Sequence, residues 1–168
     1  MIQNVDMTEA ALKVADDIKN SSAIKDFISE QFQAEELKVF VGDMLRVQIP
    51  RAEDTPYIVL FDWKKREGID TEFCKYTCTI AIGVGCGARP EFVESDNGVL
   101  LLDAYDVSNK FAQLIIDVIN KRKNGDRPLS SVEMEGPYVI DADGGHWGTL
   151  LECTWRIYQT MGLEQEDF

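Results

Sequence analysis

The sequence predicts an α+β fold, with helices packed on a mainly antiparallel sheet. Three observations lead there. Apolar residues recur at helical spacing in two separated stretches, residues 7–33 and 103–123. Between and after them stand alternating or continuous apolar runs bounded by Gly, Pro and Asp, the pattern of strands. No strand–helix–strand alternation suggests parallel crossovers, so the order reads helix, short strands, hairpin, helix, hairpin.

The first helical stretch opens near Thr8 and Glu9, and Ala11, Leu12, Ala15 and Ile18 form one apolar stripe. Asn20-Ser21-Ser22 then breaks the pattern and offers a fresh cap before Ala23, Ile24, Phe27, Ile28 and Phe32. One bent helix or two short ones satisfy this spacing. Lys38–Gly42 and Met44–Ile49 are short strand candidates, the second ended by Pro50, and residues 51–55 read as a polar loop.

Tyr57–Trp63 (YIVLFDW) is continuously apolar apart from Asp62, which suggests a strand covered on both faces. Lys64–Asp70 (KKREGID) reads as a charged hairpin tip, since its charges have no place in a core. A strand over Lys75–Gly85 follows, with Gly85, Gly87 and Pro90 ending it and a loop expected over Arg89–Gly98. Asp103 is the expected cap of the clearest amphipathic helix, built on Val107, Phe111, Leu114, Ile115, Val118 and Ile119. Lys121-Arg122-Lys123 suits the negative end of its dipole, and Asn124-Gly125 its termination. Ser131–Ile140, interrupted by Gly136-Pro137, reads as an edge or bulged strand. Asp141–Gly148 reads as a glycine-rich turn, Leu150–Tyr158 as the last strand, and Glu164–Phe168 as a frayed acidic tail.

The 168 residues, 45% hydrophobic and 28% charged, fit one domain over 1–168 and exclude disorder as the main state. No apolar run approaches the ~18 residues that cross a bilayer. The net charge of −13 disfavours direct binding to nucleic acid or anionic membrane. The acids are dispersed over the whole chain, whereas a DNA mimic would concentrate them.

Chemistry-bearing patterns are weak. Cys74, Cys78 and Cys86 share one parity of a strand, and Cys74 and Cys78 lie roughly 13 Å apart along it. They can neither bridge nor share a zinc, so reduced, buried thiols in a reducing cytoplasm are expected, with a bridge to Cys153 the lesser alternative. His146 near Asp141 and Asp143 could orient an imidazole for acid–base work, yet no nucleophile accompanies it. DADGG from Asp141 fits a calcium loop only in part, with Gly145 at the fifth position. Gly83, Gly85 and Gly87 lack dinucleotide-loop spacing. No enzyme, cofactor or metal site is therefore expected. The more informative features are Lys64-Lys65-Arg66, a basic run in an acidic chain, and Trp63 and Trp147 beside loops, read as candidate interface residues.

The order of pieces resembles the tail-terminator and tail-completion proteins of long-tailed bacteriophages. The N-terminal helical segment, the proline-led strand PYIVLFDW, the charged KKREGID, the helix DAYDVSNKFAQLIIDVINKRK and the closing strand LLECTWRIYQTMG carry that resemblance. It implies a non-catalytic virion protein of the tail, assembled in the host cytoplasm as a ring, commonly of six copies. Such a ring sits at the head-proximal end of the tail tube, stops its growth and meets the head connector, while DNA passes without being gripped. Lys64–Arg66 against an acidic neighbouring copy is the expected ring contact. The alternative is an acidic immunity or inhibitor protein that caps a basic toxin or nuclease.

Overall fold

Asp6 opens the first helix, its carboxylate accepting from the backbone N–H of Thr8 at 2.8 Å. The computed structural model describes residues 6–42, 50, 52–71, 74–87, 89, 91–121, 123–124, 127–128, 130–141 and 146–158. The N-terminal stretch is two helices, α1 (Met7–Asn20) and α2 (Ser22–Phe32), separated at Ser21. Ala11, Ala15 and Ile18 of α1 and Ile24 and Ile28 of α2 are buried as expected, but Leu12 is exposed, and Ala10 and Val14 take the buried face of α1 instead. The strand candidate Met44–Ile49 lies outside the described residues, as does the tail 164–168.

Five strands form the main sheet in the order β1-β2-β3-β9-β8. They are β1 (Lys38–Val41), β2 (Tyr57–Thr71), β3 (Cys74–Cys86), β8 (Ser130–Asp141) and β9 (His146–Tyr158). Only β1 and β2 run parallel; every other neighbouring pair is antiparallel. A separate hairpin pairs β4 (Phe92–Glu94) with β5 (Leu100–Leu102), and a minor one pairs β6 (Lys123–Asn124) with β7 (Arg127–Pro128). Helix α3 (Asp103–Asn120) lies against β3, β8 and β9, while α1 lies against β1 and β2. This is an α+β fold, helices on one face of a mainly antiparallel sheet.

Alternation along the strands explains the core. Ile58 and Leu60, Ile80, Ile82 and Val84, and Leu151, Cys153 and Trp155 are buried with Ile18, Ile24, Phe111, Ile115 and Ile119 of the helices. The rings of Phe27 and Phe111 stack at 5.7 Å and join α2 to α3. In β2 the intervening Tyr57 and Val59 are also buried, so this segment is covered on both faces, as its continuous apolar run predicts.

Four expectations need correction. The segment 64–70 is no turn: β2 continues through Thr71, and Lys64, Lys65 and Arg66 pair with Thr79, Cys78 and Thr77. Backbone pairing with β3, rather than an apolar side-chain pattern, makes this segment a strand. Residues 89–98 are not all loop, since 92–94 form β4. Asp103 is not the cap of α3 but its first residue; Leu102 holds the cap position without a side-chain bond, and the helix ends at Asn120. The last strand begins at His146, before the expected Leu150.

Candidate functional site

Tyr57 and His146 meet on the sheet face away from the helices. The Tyr57 hydroxyl and His146 Nε2 are 2.7 Å apart, and the rings meet edge to face at 5.4 Å. Both residues are 3% exposed. Register explains why the tyrosine lies flat: it pairs with Gly85, which pairs with Gly148. A Cβ on Gly85 would fall inside the Tyr57 ring, so glycine makes room for it. Burial, then the nearby Asp54 and Tyr138, push the Tyr57 phenol up to about 12. It stays protonated near neutrality and suits a structural bond rather than a proton relay.

The thiols are equally quiet. Burial pushes Cys86 and Cys153 up to about 12, which keeps them in the unreactive thiol form. Cys153 pairs with Ile80, six residues along β3 from Cys86, or roughly 20 Å, so these two do not bridge. Among the described residues no group of His, Cys, Asp and Glu is arranged to hold a metal ion. Residues 142–145, which include most of the partial calcium-loop pattern, lie outside the described residues. No helix among the described residues is long and apolar enough to cross a membrane.

The five candidate interface residues divide. Trp63 follows a bulge at Asp62, whose φ is 48°, and packs partly buried against the core instead of standing at a tip. Its indole N–H is buried without a hydrogen-bond partner. Trp147 is half-buried at the start of β9, paired with Cys86 and Val139. Lys64 is exposed and bound to Asp62 at 3.0 Å; that carboxylate also holds its ammonium above the ordinary lysine value. Lys65 and Arg66 are placed by register alone. The same register adds a residue that sequence reasoning missed. Arg66, Thr77 and Arg156 occupy one row across β2, β3 and β9, two positions from the row Lys64, Thr79, Thr154. Thr79 and Thr154 are bonded through their hydroxyls at 3.0 Å.

The β4–β5 hairpin is the larger omission. Phe92, Val93, Val99, Leu100 and Leu101 are all exposed, Phe92 at 63% and Leu100 at 64%. Phe92 and Val93 are consecutive, so the hairpin is bare on both faces. Glu91, Glu94 and Asp96 flank these residues, and 91–102 contains no Lys, Arg or His. The turn is closed by Ser95, whose N–H donates to the Val99 carbonyl at 2.9 Å and whose hydroxyl accepts from the Val99 N–H. Arg89 anchors the hairpin base. Its guanidinium binds Asp103 at 3.1 Å and Gln31 at 3.2 Å and lies 5.2 Å over the Phe32 ring. The carbonyl of Glu91 accepts from the N–H of Asp103, at the start of α3. Asn97-Gly98, between the apolar pair Phe92-Val93 and the apolar run 99–102, was the available hairpin signal.

Nine of the eleven large hydrophobics that are exposed among the described residues lie in this hairpin, in Tyr105, or in Tyr138, Val139 and Ile140 of β8. Tyr138, Val139 and Ile140 lie at the end of the main sheet where Cys86, Trp147 and Val139 pair, and β3 leads from that end toward the hairpin and α3. Compared with known proteins, the chain matches no family model and no curated protein.

Proposed function

We propose that this chain is a structural, ring-forming protein of the phage tail-terminator and tail-completion type. The observation that carries the reading is the concentration of exposed apolar side chains at one end of the sheet, foremost in the β4–β5 hairpin. A cluster of exposed apolar side chains such as the hairpin's is a recurrent mark of an assembly surface. The element order that prompted the resemblance supports it as well: paired N-terminal helices, a long hairpin, an amphipathic helix and a closing hairpin. In this reading the apolar end meets other copies, tail-tube subunits and the head connector. The dispersed charge of −13 lets DNA pass through the ring without being held.

Sedimentation velocity and negative-stain imaging across a wide concentration range test it. A closed ring or a concentration-dependent oligomer is expected, and a strict monomer at the highest concentration overturns the reading. The hairpin's Glu91, Glu94 and Asp96 give one specific support to a second reading, an acidic inhibitor of a basic toxin or nuclease. That protein would be the monomer, and would capture its basic target in a one-to-one complex.

A further inference from the structure

We propose that the β4–β5 hairpin of one copy docks on the next copy's strand rows that carry Lys64 and Arg66 of β2 and Arg156 of β9. This rests on the ring reading and gives it a specific pair of surfaces. The hairpin is bare on both faces and purely acidic, so its complement must combine positive charge with a surface able to pack against Phe92 and Leu100. The two rows supply both. By register, Lys64, Arg66 and Arg156 share one sheet face with Thr77, Thr79 and Thr154, and long Lys and Arg stems cover apolar groups well. Glu152, in the row with Ala81, and Glu133 beside it mark the acidic limit of these rows. The Lys64–Asp62 pair is exposed on both sides and exchanges readily for an intermolecular partner.

The chain already uses this chemistry internally. Arg89 lies over the Phe32 ring while its guanidinium binds Asp103, the same union of cation, aromatic ring and carboxylate. The other exposed apolar segment, Tyr138–Ile140, is a poor complement, because β8 carries Glu133 and Glu135 and shares the hairpin's sign.

Geometry sets the symmetry. The row Arg66–Thr77–Arg156 lies eight residues along β3 from the row Tyr57–Gly85–Gly148, roughly 27 Å away. The hairpin follows β3 at its Cys86 end, beyond Gly85. Donor and acceptor surfaces thus occupy opposite ends of one chain. A contact between different surfaces is heterologous, and such contacts close into rings when the rotation permits.

Charge reversal tests it on the full chain. Glu91→Lys with Glu94→Lys and Asp96→Lys should raise the concentration needed for assembly at least tenfold in sedimentation velocity. Arg66→Glu with Arg156→Glu should do the same, and combining the two sets should restore assembly. All these positions are hairpin or strand-row residues, and far-UV circular dichroism checks that each variant keeps the fold. If wild type assembles and either reversed set assembles equally well, docking at these surfaces is wrong while the ring reading stands. If both sets fail and their combination does not recover, the surfaces do not face one another and the proposal falls. A wild type that stays monomeric removes the ring reading and this contact together. Retention of a DNA oligomer by wild type, lost in Arg66→Glu/Arg156→Glu with assembly intact, would assign the rows to phosphate and overturn the docking.

Discussion

Arg89 and Asp103 are joined at 3.1 Å, and both side chains are about one quarter exposed. This pair bridges the segment that leads into β4 and the first residue of α3. Its partial burial makes it stronger than the exposed pairs elsewhere, such as Lys13–Glu9 at 3.8 Å. Arg89→Ala and Asp103→Ala should each cost about 1–2 kcal/mol in urea unfolding. The double variant should cost less than their sum, and strict additivity would show that the pair contributes nothing.

Gly85→Ala places a methyl where the Tyr57 ring lies, and overpacking of this kind costs about 1–3 kcal/mol. Combining Gly85→Ala with Tyr57→Ala should relieve the collision, so thermal melts of the pair should fall short of the summed single losses. A Gly85→Ala protein as stable as wild type would contradict the flat placement of the ring.

Tyr57→Phe removes the bond to His146 Nε2 while keeping the ring over Gly85. A loss of about 1 kcal/mol is expected, read from urea midpoints at unchanged slope.

Stability should fall with rising pH on the alkaline side. The folded state holds the Cys86 and Cys153 protons up to about 12 and the Tyr57 proton likewise, against ordinary values of 9.0 and 10.0. Between those limits the unfolded chain binds fewer protons than the folded one, so the slope of unfolding free energy with pH is negative. The stabilisation is complete below pH 9 and is lost on the way to 12. Melting temperatures measured from pH 8 to 11 should therefore decline, and Cys86→Ala with Cys153→Ala should flatten the decline. An unchanged slope in that variant would show that the thiols are not its source.

Trp63 buries an indole N–H that has no partner, which is costly in a dry site. Trp63→Phe should leave stability unchanged or raise it by about 1 kcal/mol, provided the smaller ring keeps its contacts. A large loss in calorimetry would show that the indole's packing outweighs its unpaired N–H.

Most of the architecture was legible where one face of an element is wet and the other dry. The stripe of α3 and the alternation of Leu151, Cys153 and Trp155 state their burial directly, and that of α1 does so except at Leu12, which is exposed. The polar trio Asn20-Ser21-Ser22 likewise marked the division between α1 and α2. The distal half of β2 was not legible, because Lys64–Thr71 carries too little apolar pattern to announce a strand and depends on its pairing with β3. The β4–β5 hairpin failed to register for the opposite reason: its apolar residues are unburied, and its acids read as loop. Tyr57 and His146 are separated by 89 positions, so only the sheet register brings them together.

The pairing of β2, β3 and β9 also gives the molecule a graduated length. β3 and β9 hold the Cys86 end and the Arg66 row on one continuous ladder, while β2 accommodates one extra residue at the Asp62 bulge. Removing or adding a single residue in β3 or β9 would turn every later side chain to the wrong face unless a bulge such as that at Asp62 took it up, whereas two residues preserve the faces. Without a new bulge, spacing between the two ends therefore changes in increments of about 7 Å, made in all paired strands at once. A subunit built this way resists gradual drift in length.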